Sequence, residues 1–567
     1  MKVISEAAKI NDKKEKEKAV LLLSFLLPFI MFVAILISKH VFPFGEKCIL
    51  RTDFYHQYLP FHAELQNKLK NFESLFYTYK VGLGTNFITI LAYYLACPIN
   101  ILLFFIPDGF TLEFMTFMII LKASLCGLTM SYYLMKRYNS DSFVIVFFSI
   151  FYAMGGYISA YYWNIMWLNN IVIFPLVVLG FENVYNGKKP YLYILTLAFS
   201  LLTNYYIGII VCIFIFVYFI FYSILKETKI KQIFKNCLKI AIYSLNAILI
   251  SSLLLLPVIY AFKTTASSNI SFPSSIKEYF TIVEVISRHL PFVTVENGID
   301  YWPNLYSGIM CLPLLCLYFL SKKFKTHEKI CYAVFLLFFL ASFSINALDF
   351  VWHIFKYPNS LPARQSFIYT FILLTLCMKP FTKVNSIKPK DITLCFAIST
   401  LFLIVIEKLV INSKVGYYSI YAALIFLLIY LIIFLKYRSK KSNKNYLLYV
   451  AVIVVCFEAF MNMYQTSIST IKRDDYIKNT NTIKNLTSNL KNITDDFYRV
   501  ERAEMKTKDD GAFMHFPTSS IFSSSAYADG TEFYKKFGME ASTNAYSITG
   551  STPFADALLS VKYKIFE

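Results

Sequence analysis

Charged side chains are scarce in this chain, and that scarcity restricts the class of protein it can be. Only 16% of its 567 residues are charged, whereas 57% are hydrophobic and 18% are aromatic. A soluble domain could not bury so large a share of apolar side chains. The apolar residues are also grouped in many runs of about twenty, the length that crosses a bilayer as a helix. The sequence therefore predicts an all-α polytopic membrane protein.

Sequence motifs of several enzyme classes are absent as well. The chain contains no Walker motif, GxGxxG, HExxH or nucleophile elbow, and no internal repeat stands out. No CxxC occurs, and most of the eleven cysteines lie inside apolar runs. We interpret these cysteines as small core residues, which argues against a disulfide framework and against a metal site.

The net charge of +20 would suit a nucleic-acid partner, but its distribution argues against one. The lysines gather in short loops between apolar runs, as the positive-inside rule describes for the cytoplasmic loops of membrane proteins. The sequence therefore predicts that the partner of this basic protein is the lipid bilayer and not a nucleic acid.

The apolar runs divide the chain into an N-terminal segment, a transmembrane domain and a tail. Residues 1–18 are polar and lysine-rich, and the run that follows is too long for a typical signal-peptide core. We therefore predict a cytoplasmic N-terminus at 1–18 and a multi-spanning domain at 19–465. The thirteen predicted spans are 19–38, 111–135, 143–160, 165–182, 191–205, 206–225, 238–261, 306–320, 330–346, 364–378, 392–411, 417–435 and 446–465.

Loops rich in lysine and arginine alternate with loops that have few basic residues, in agreement with these spans. With the N-terminus inside, the basic loops at 136–142, 183–190, 226–237, 321–329, 379–391 and 436–445 are all cytoplasmic. The same alternation places 39–110, 263–305, 347–363 and 466–567 outside. An extra span at 87–106 would invert everything after it, so we predict a re-entrant or interfacial segment there. The expected location is a cell membrane, with the C-terminal tail extracytoplasmic.

The first outer loop, at 39–110, combines charged, polar and aromatic residues. Asp53 follows Arg51 and precedes His56, Gln57 and Tyr58. Apolar residues at spacings of three and four predict a helix over 54–72 that lies along the membrane surface. On this pattern alone the loop is an ordinary one, in which Asp53 pairs with Arg51 or caps the helix.

Several elements of the chain resemble the signature of the YfhO family of bacterial membrane proteins. Three lie in the first outer loop: TD-x-x-x-QY-x-PF at 52–61, GLG-x-NF at 82–87 and AYYL-x-x-P-x-N at 92–100. Four more follow: N-x-MW at 164–167, NYYIG at 204–208, PN-x-Y-x-G at 303–308 and P-x-x-x-P-x-R-x-SF at 358–367. The resemblance therefore covers nearly the whole chain.

This resemblance implies a C-type (GT-C) glycosyltransferase that uses a polyprenyl-phosphate sugar. In that superfamily the first outer loop carries the catalytic carboxylate, and Asp53 is the residue that fits. A carboxylate can take the proton of the attacking acceptor hydroxyl, while cations or a metal stabilise the leaving phosphate. The predicted substrate-binding residues are Arg364, Arg51, Gln57, Tyr58, Asn164, Trp167 and Asn204.

Simpler roles for some of these residues stay open at the sequence level. Trp163 and Trp167 at a membrane boundary are typical interfacial anchors, and Asn204 in TNYYIG suits a tight outer hairpin. Arg364 begins the tenth predicted span, where a snorkelling arginine is common. The sharper prediction is that Arg364 faces the anionic head of a lipid.

Two further outer regions carry weaker signals. The loop at 263–305 holds Glu284, Arg288, His289, Glu296 and Asp300, and nothing in their spacing selects one for contact with a sugar. The tail at 466–567 has frequent charges and the strand-like runs DFYRVER and VKYKIF, which predict a small α+β or mostly β domain. It ends within the second of these runs, whereas family members generally continue, so we leave a truncated domain open.

Three functions are compatible with the sequence. The first is transfer of a sugar from a polyprenyl-phosphate donor, made by a separate enzyme, to an envelope polymer such as a lipoteichoic or wall teichoic acid. The second is a transporter or flippase for a lipid-linked glycan, which the near absence of charge within the spans disfavours. The third is a membrane scaffold that displays the tail. No DxD motif occurs outside, and a divalent metal cofactor is left open.

Overall fold

The structure is a computed structural model that describes residues 2–265, 272–358, 360–410, 415–439, 442–490, 493 and 496–566. Helices dominate it, as the apolar runs predict. The first of them begins well before the predicted span, because the polar N-terminal segment continues the same helix. From the N-terminus to the end of the first loop (residues 39–110), the regular elements are α1 (Lys2–Ser38), β1 (Lys47–Cys48), a π-helical turn (Phe54–Tyr58), α2 (Leu59–Lys70), β2 (Tyr77–Thr78), β3 (Thr85–Asn86), α3 (Phe87–Ile90), a second π-helical turn (Leu91–Leu95) and a 3-10 helix (Pro98–Phe105).

The central part of the chain is a bundle of helices joined mostly by short turns, with longer connections before and after α11 and after α14. Several of its helices begin at a side chain that caps the first turn, such as Asn204 before α9 and Asn443 before α18. The helices are α4 (Thr111–Tyr138), α5 (Val144–Ala153), α6 (Gly156–Tyr161), α7 (Ile165–Tyr185), α8 (Tyr191–Thr203), α9 (Tyr205–Leu225), α10 (Ile230–Phe262), α11 (Ile282–Ser287), α12 (Cys311–Leu320), α13 (Thr326–Ser344), α14 (Asn346–Trp352), α15 (Ser366–Thr382), α16 (Pro389–Val410), α17 (Tyr417–Arg438) and α18 (Lys444–Thr466).

Ten helices in the described ranges are long and apolar enough to cross a membrane. They are α1 from Lys13, α4, α5 with α6, α7, α9, α10, α13, α16, α17 and α18. The other three predicted spans coincide with shorter apolar helices, α8, α12 and α15. A helix rises about 1.5 Å per residue, so the ten residues of α12 reach only about half of a bilayer core. The multi-pass architecture is therefore confirmed, whereas thirteen crossings remain a prediction.

The predicted span at 306–320 is shortened because its first residues are extended rather than helical. This extended segment packs tightly against the break between α5 and α6. The backbone N–H of Gly156 donates a 2.7 Å hydrogen bond to the carbonyl of Tyr306. A Cβ added at Gly156 would lie only 2.8 Å from the Tyr306 nitrogen, so glycine permits this close approach.

The segment predicted to be re-entrant is sharply bent. The helical stretches Phe87–Leu95 and Pro98–Phe105 meet at 105°. Pro98 begins the second stretch, where its missing N–H costs no helical hydrogen bond. Such a bend suits either a broken span or a re-entrant loop, so the re-entrant assignment of 87–106 stays a prediction.

The tail after α18 contains both helices and strands. The runs DFYRVER and VKYKIF supply β5 and β9, which pair in parallel. A second sheet is antiparallel with the strand order β6-β8-β7. The elements are β4 (Ile471–Lys472), α19 (Arg473–Ile477), α20 (Thr480–Leu490), β5 (Arg499–Arg502), α21 (Asp510–Met514), β6 (Ile521–Phe522), α22 (Ala528–Lys536), β7 (Ala541–Ser542), β8 (Ala545–Tyr546), α23 (Pro553–Leu558) and β9 (Val561–Ile565).

The tail lies directly on the first loop. Strand β1 of the loop pairs antiparallel with β4 of the tail. The backbone N–H of Gly82 donates to the carbonyl of Ser520, and that of Thr518 donates to the carbonyl of Tyr79. The two regions therefore form one continuous layer at a single end of the helix bundle.

Helix α2 is not the surface helix that its amphipathic pattern predicts. Its apolar residues Phe61 and Leu65 are buried, but so are the polar residues His62, Glu64 and Lys68. Glu64 is held by the Thr78 hydroxyl at 2.9 Å and lies between Lys68 and Lys80. Glu64 lies 3.8 Å from His515 of the tail, whereas His62 contacts Asn100 of the first loop. Because protein covers both sides of α2, it is an internal helix, and the prediction that it lies along a membrane surface is wrong.

Candidate functional site

The carboxylate of Asp53 lies half-buried at the start of the π-helical turn Phe54–Tyr58. One of its oxygens accepts a 3.2 Å hydrogen bond from the side-chain amide of Gln57. Burial raises the pKa of Asp53 to about 6, although nearby Arg364 and the Tyr58 hydroxyl both act to lower it. A carboxylate with this pKa is mostly ionised at neutral pH and is a stronger base than an exposed aspartate.

The simpler roles considered for Asp53 are not the ones seen in the structure. Its side chain makes no capping hydrogen bond to the following helical turn. Arg51 points elsewhere: its guanidinium donates to the Ser467 carbonyl at 3.2 Å and lies 6.0 Å from the Trp163 ring. Arg51 therefore lies at the edge of the site, tying the first loop to the start of the tail.

Gln57 and Tyr58 belong to a buried hydrogen-bond network beside Asp53. The Tyr94 hydroxyl donates to the side-chain oxygen of Gln57 at 2.7 Å. The Tyr58 hydroxyl donates to the side-chain oxygen of Asn164 at 2.6 Å. These bonds fix the turn that carries Asp53 against the bundle and bring three predicted residues, Gln57, Tyr58 and Asn164, into one place.

Trp163 and Trp167 are interior residues, so the simpler alternative of an interfacial anchor does not apply to them. Trp163 and Trp167 are 0% and 1% exposed, and the Trp163 ring stacks on Tyr58. The indole N–H of Trp167 and the amide nitrogen of Asn164 have no hydrogen-bond partner in the part of the chain that the structure describes. Buried donors of this kind are uncommon, and they suit a ligand that offers oxygen atoms.

Arg364 approaches the site from the loop before α15. Its Nε and one Nη donate 3.1 Å hydrogen bonds to the carbonyls of Leu361 and Ser360, respectively. Its guanidinium faces the rings of Trp167 at 5.2 Å and Tyr206 at 4.9 Å. This cation is enclosed by aromatic rings and acts electrostatically on Asp53, so its position differs from that of a snorkelling arginine.

Asn204 forms the predicted tight turn, between α8 and α9. Its side-chain oxygen accepts from the backbone N–H of Ile207, and its amide donates to the Tyr93 carbonyl at 2.9 Å. Both groups are thus used within the protein. Asn204 therefore holds the AYYL segment in place. Its side chain supports the site, whereas the additional prediction was that it faces the cavity.

The charged residues of the loop at 263–305 mostly serve its own folding. Arg288 donates to the carbonyls of Pro303 and Thr294, and Glu284 forms a capping box with Thr281. Glu284 and most of the donors of Arg288 are thus used within the loop itself, while one terminal nitrogen of Arg288 has no hydrogen-bond partner among the described residues. Part of this loop, 266–271, lies outside the described residues.

Two of the charges that lie within the spans have partners in the fold. Glu458 accepts hydrogen bonds from the hydroxyls of Tyr306 and Tyr430 and from the N–H of Ile309. Lys122 donates to the carbonyl of Ile165 at 2.9 Å. These groups are satisfied by fixed neighbours, which is the arrangement of a structural residue rather than of a transport pathway.

Sequence reasoning missed several residues that complete the site. Tyr93, Tyr94 and Tyr206 surround Asp53 and Arg364, and all three lie within the AYYL and NYYIG elements that could have identified them. The contacts that the tail makes with the site were also missed. The backbone N–H of Ser524 donates to the Tyr94 hydroxyl, and the Thr507 hydroxyl donates to the His56 carbonyl.

The residues that the structure describes contain no evident metal-binding centre. No group of three or more His, Cys, Asp or Glu residues there has the arrangement to hold an ion. The site is thus built from one carboxylate, one enclosed guanidinium, several tyrosine hydroxyls and amides, and two tryptophan rings.

The helices and this site define a multi-pass membrane protein with a polar, aromatic-lined centre at one end of its bundle. The model of the family described as "Bacterial membrane protein YfhO" matches residues 24–567. The chain belongs to the YfhO family, and the resemblance read from its motifs is confirmed.

No curated protein matches the chain at a significant level. Among solved structures, the chain is similar to the crystal structure of ArnT from Cupriavidus metallidurans bound to undecaprenyl phosphate. The two are 7% identical with a TM-score of 0.38, and the match covers 90% of this chain and 88% of that chain.

Proposed function

We propose that this protein is a membrane glycosyltransferase that moves a sugar from a polyprenyl-phosphate donor to a cell-envelope polymer. The observation that carries the proposal is that Asp53, a carboxylate whose pKa is raised to about 6, lies in one site with Arg364, whose charge acts on it. The motifs that supply both residues resemble those of the YfhO family, to which the chain belongs. The proposed acceptor is a lipoteichoic or wall teichoic acid on the outer face of the membrane.

Asp53 is the proposed general base. It takes the proton of an acceptor hydroxyl while the hydroxyl oxygen attacks the anomeric carbon of the donor sugar. The bond between that carbon and the phosphate oxygen breaks, and the electron pair leaves with the lipid phosphate. A base with a pKa near the working pH is well suited to this proton transfer.

Arg364 is the proposed partner of the leaving phosphate. Negative charge grows on the phosphate oxygens as the bond breaks, and a guanidinium can meet two such oxygens at once. The surrounding rings of Trp167 and Tyr206 exclude water, which strengthens the attraction. The unpartnered N–H groups of Trp167 and Asn164 are the proposed hydrogen-bond donors to the sugar or the phosphate.

The membrane location suits a lipid-linked donor. A site at the end of a helix bundle lets the prenyl chain stay in the bilayer while its head group enters a polar centre. The tail, which packs on the same loop as Asp53, is the proposed neighbour of the incoming polymer. A separate enzyme would supply the donor, since the sequence offers no motif for a nucleotide sugar.

A transfer assay tests the proposal directly. Purified protein in proteoliposomes would be given a polyprenyl-phosphate sugar with a radiolabelled sugar group and an envelope polymer purified from cells that lack this protein. We expect label to accumulate in the polymer and unlabelled lipid phosphate to be released in equal amount. Movement of labelled lipid between leaflets without polymer labelling would instead support the flippase, and the absence of both would leave the scaffold.

A further inference from the structure

A polar cavity lies at the end of the helix bundle opposite the site around Asp53. Helix α4 shows the relation between the two ends. The hydroxyl of Thr111, at its start, donates to Gln66 of the first loop, whereas Tyr138, at its end, lines the cavity. The cavity has a volume of about 730 Å³ and is bounded by the ends of α4, α7, α9, α13 and α15. Volumes of this size are typical of small-molecule sites.

One side of this cavity is an ion pair enclosed by tyrosines. Arg137 donates to the carboxylate of Glu182, which also accepts from the hydroxyls of Tyr133 at 3.1 Å and Tyr218 at 2.7 Å. The other guanidinium nitrogen of Arg137 donates to the Tyr332 hydroxyl at 3.2 Å. The charge of Arg137 is thus balanced within the wall.

A second ion pair completes the wall. Lys379 donates to the carboxylate of Glu328, which also accepts from the Tyr318 hydroxyl at 2.7 Å. The ammonium of Lys379 lies 4.7 Å from the centre of the Tyr332 ring. The two ion pairs together carry no net charge, so any excess charge of the cavity must come from its rim.

The rim is strongly basic. Four exposed lysines surround the opening, and none forms an ion pair with a residue that the structure describes; they are Lys136, Lys188, Lys226 and Lys325. The rim carboxylate Glu227 lies 3.8 Å from His327. Six cations and three carboxylates line the cavity in all, an excess of three positive charges with the histidine neutral.

We infer that this cavity binds a phosphate-bearing anion. Its internal pairs are satisfied, so an incoming anion need not compete with them, and the rim lysines remain to meet a phosphate. Tyrosine rings and hydroxyls along the wall can contact the organic part of such a ligand. The phosphate can come from a lipid head group or from a soluble phosphate compound, because both present the same anion to the rim.

Lysines at the ends of helices can also serve roles that involve no ligand. In cytoplasmic loops they set membrane orientation, and at the ends of α4 and α9 they stabilise the helix dipole. Neither role needs the lysines to surround a cavity. Four other exposed lysines lie in loops that are predicted to be on the same side of the membrane but do not line the cavity. They provide a matched control set: Lys383, Lys388, Lys390 and Lys436.

The test compares two fourfold lysine-to-glutamine variants of the full-length protein. One carries the changes at the rim lysines and the other at the control lysines, and both carry Arg364→Ala to weaken binding at the proposed donor site. Calorimetry would use two probes, inorganic phosphate and a short-chain polyprenyl monophosphate, with the uncharged polyprenol as reference. The Arg364→Ala protein alone provides the baseline affinity, and circular dichroism checks that all variants are folded.

We expect at least one probe to bind, and the rim variant to bind it about tenfold or more weakly than the control variant. Binding of inorganic phosphate would identify a soluble source, and binding of the polyprenyl monophosphate alone would identify a lipid head group. Equal affinity in the two variants, binding of polyprenol as tight as that of its phosphate, or no binding of either probe would each overturn the inference.

Discussion

The Tyr58 hydroxyl donates a 2.6 Å hydrogen bond to the side-chain oxygen of Asn164, which lies 106 residues further along the chain. This buried bond joins the first loop to the turn that precedes α7. Because the ring of Tyr58 also stacks on Trp163, the turn that carries Asp53 is held against the tryptophan wall. The relative position of the proposed base and of the enclosed Arg364 depends on this link.

Asp53→Asn should abolish sugar transfer while leaving the protein folded. Removal of a positioned general base typically lowers the rate by about 100- to 10,000-fold. Burial disfavours the charged form of Asp53, so a neutral side chain of the same shape should not lower the melting temperature. The measurement is transfer to the polymer at matched protein level. Asp108→Asn, which changes an exposed carboxylate of the same loop, should retain normal activity, and a similar result for Asp53→Asn would remove Asp53 from the mechanism.

The pH dependence of transfer should report the raised pKa of Asp53. A base acts only when deprotonated, so kcat/KM should be constant above neutral pH and fall tenfold per unit below a pH of about 6. Arg364 lowers the pKa of Asp53, and its removal should therefore move the midpoint of the profile to higher pH. A profile that stays flat to pH about 5 would contradict the assignment of Asp53 as the base.

Arg364→Ala should weaken use of the donor, and Arg364→Lys should restore only part of it. Loss of a guanidinium that meets a phosphate should raise the KM for the donor about tenfold to 100-fold. Lysine keeps the charge but not the planar pair of donors. Steady-state rates against donor concentration measure the effect, with Arg438→Ala as the control at another helix end. Unchanged donor kinetics in Arg364→Ala would reduce Arg364 to a structural role.

Glu64→Ala should destabilise the contact between the first loop and the tail. Glu64 is fully buried between Lys68 and Lys80, so its removal leaves the buried ammonium of Lys68 without its nearer carboxylate. Lys80 keeps its contact with Glu73 at 3.1 Å. We expect a loss of about 3–5 kcal/mol in the free energy of unfolding. Glu73→Ala removes a more exposed partner of Lys80 and should cost less than about 1 kcal/mol. Thermal unfolding in detergent measures both, and equal losses would contradict the buried network.

The predicted topology can be tested with two single cysteines. In a Cys237→Ser background, which removes an exposed native thiol, Ser274→Cys should react with an impermeant maleimide in intact cells. Ser442→Cys should react only after the cells are permeabilised, because the lysine-rich loop around it is predicted to be cytoplasmic. The opposite labelling pattern would reverse the orientation of the whole bundle.

The helices were largely predictable because membrane-spanning helices are encoded locally. A run of about twenty apolar residues must form a helix in a bilayer, where each backbone group needs an internal partner. The ends were less predictable. The predicted span at 306–320 loses its first residues to an extended segment, since Gly155 and Gly156 let that backbone pack closely against α6.

Much of the candidate site could also be predicted, from the chemistry of its side chains and from the spacing of the motifs. Asp53, Gln57, Tyr58, Asn164 and Arg364 were all chosen from the sequence, and the structure brings them together. Their roles in transfer stay predictions. The site residues that were missed, such as Tyr94 and Tyr206, lie within the same motifs, and only their packing around the two charges distinguishes them.

The sequence by itself determined that this is a multi-pass membrane protein of the YfhO family, because run length, lysine alternation and motifs are properties of the chain alone. The tertiary structure decided what covers each polar face. Amphipathicity predicts that one side of α2 is apolar, but it does not reveal that its polar residues are buried as well, Glu64 beside His515 of the tail and His62 beside Asn100 of the first loop. The tertiary structure also decided that Trp163 and Trp167 lie in the interior. Burial depends on contacts between segments hundreds of residues apart, such as Thr507 with His56, and no local pattern encodes those contacts.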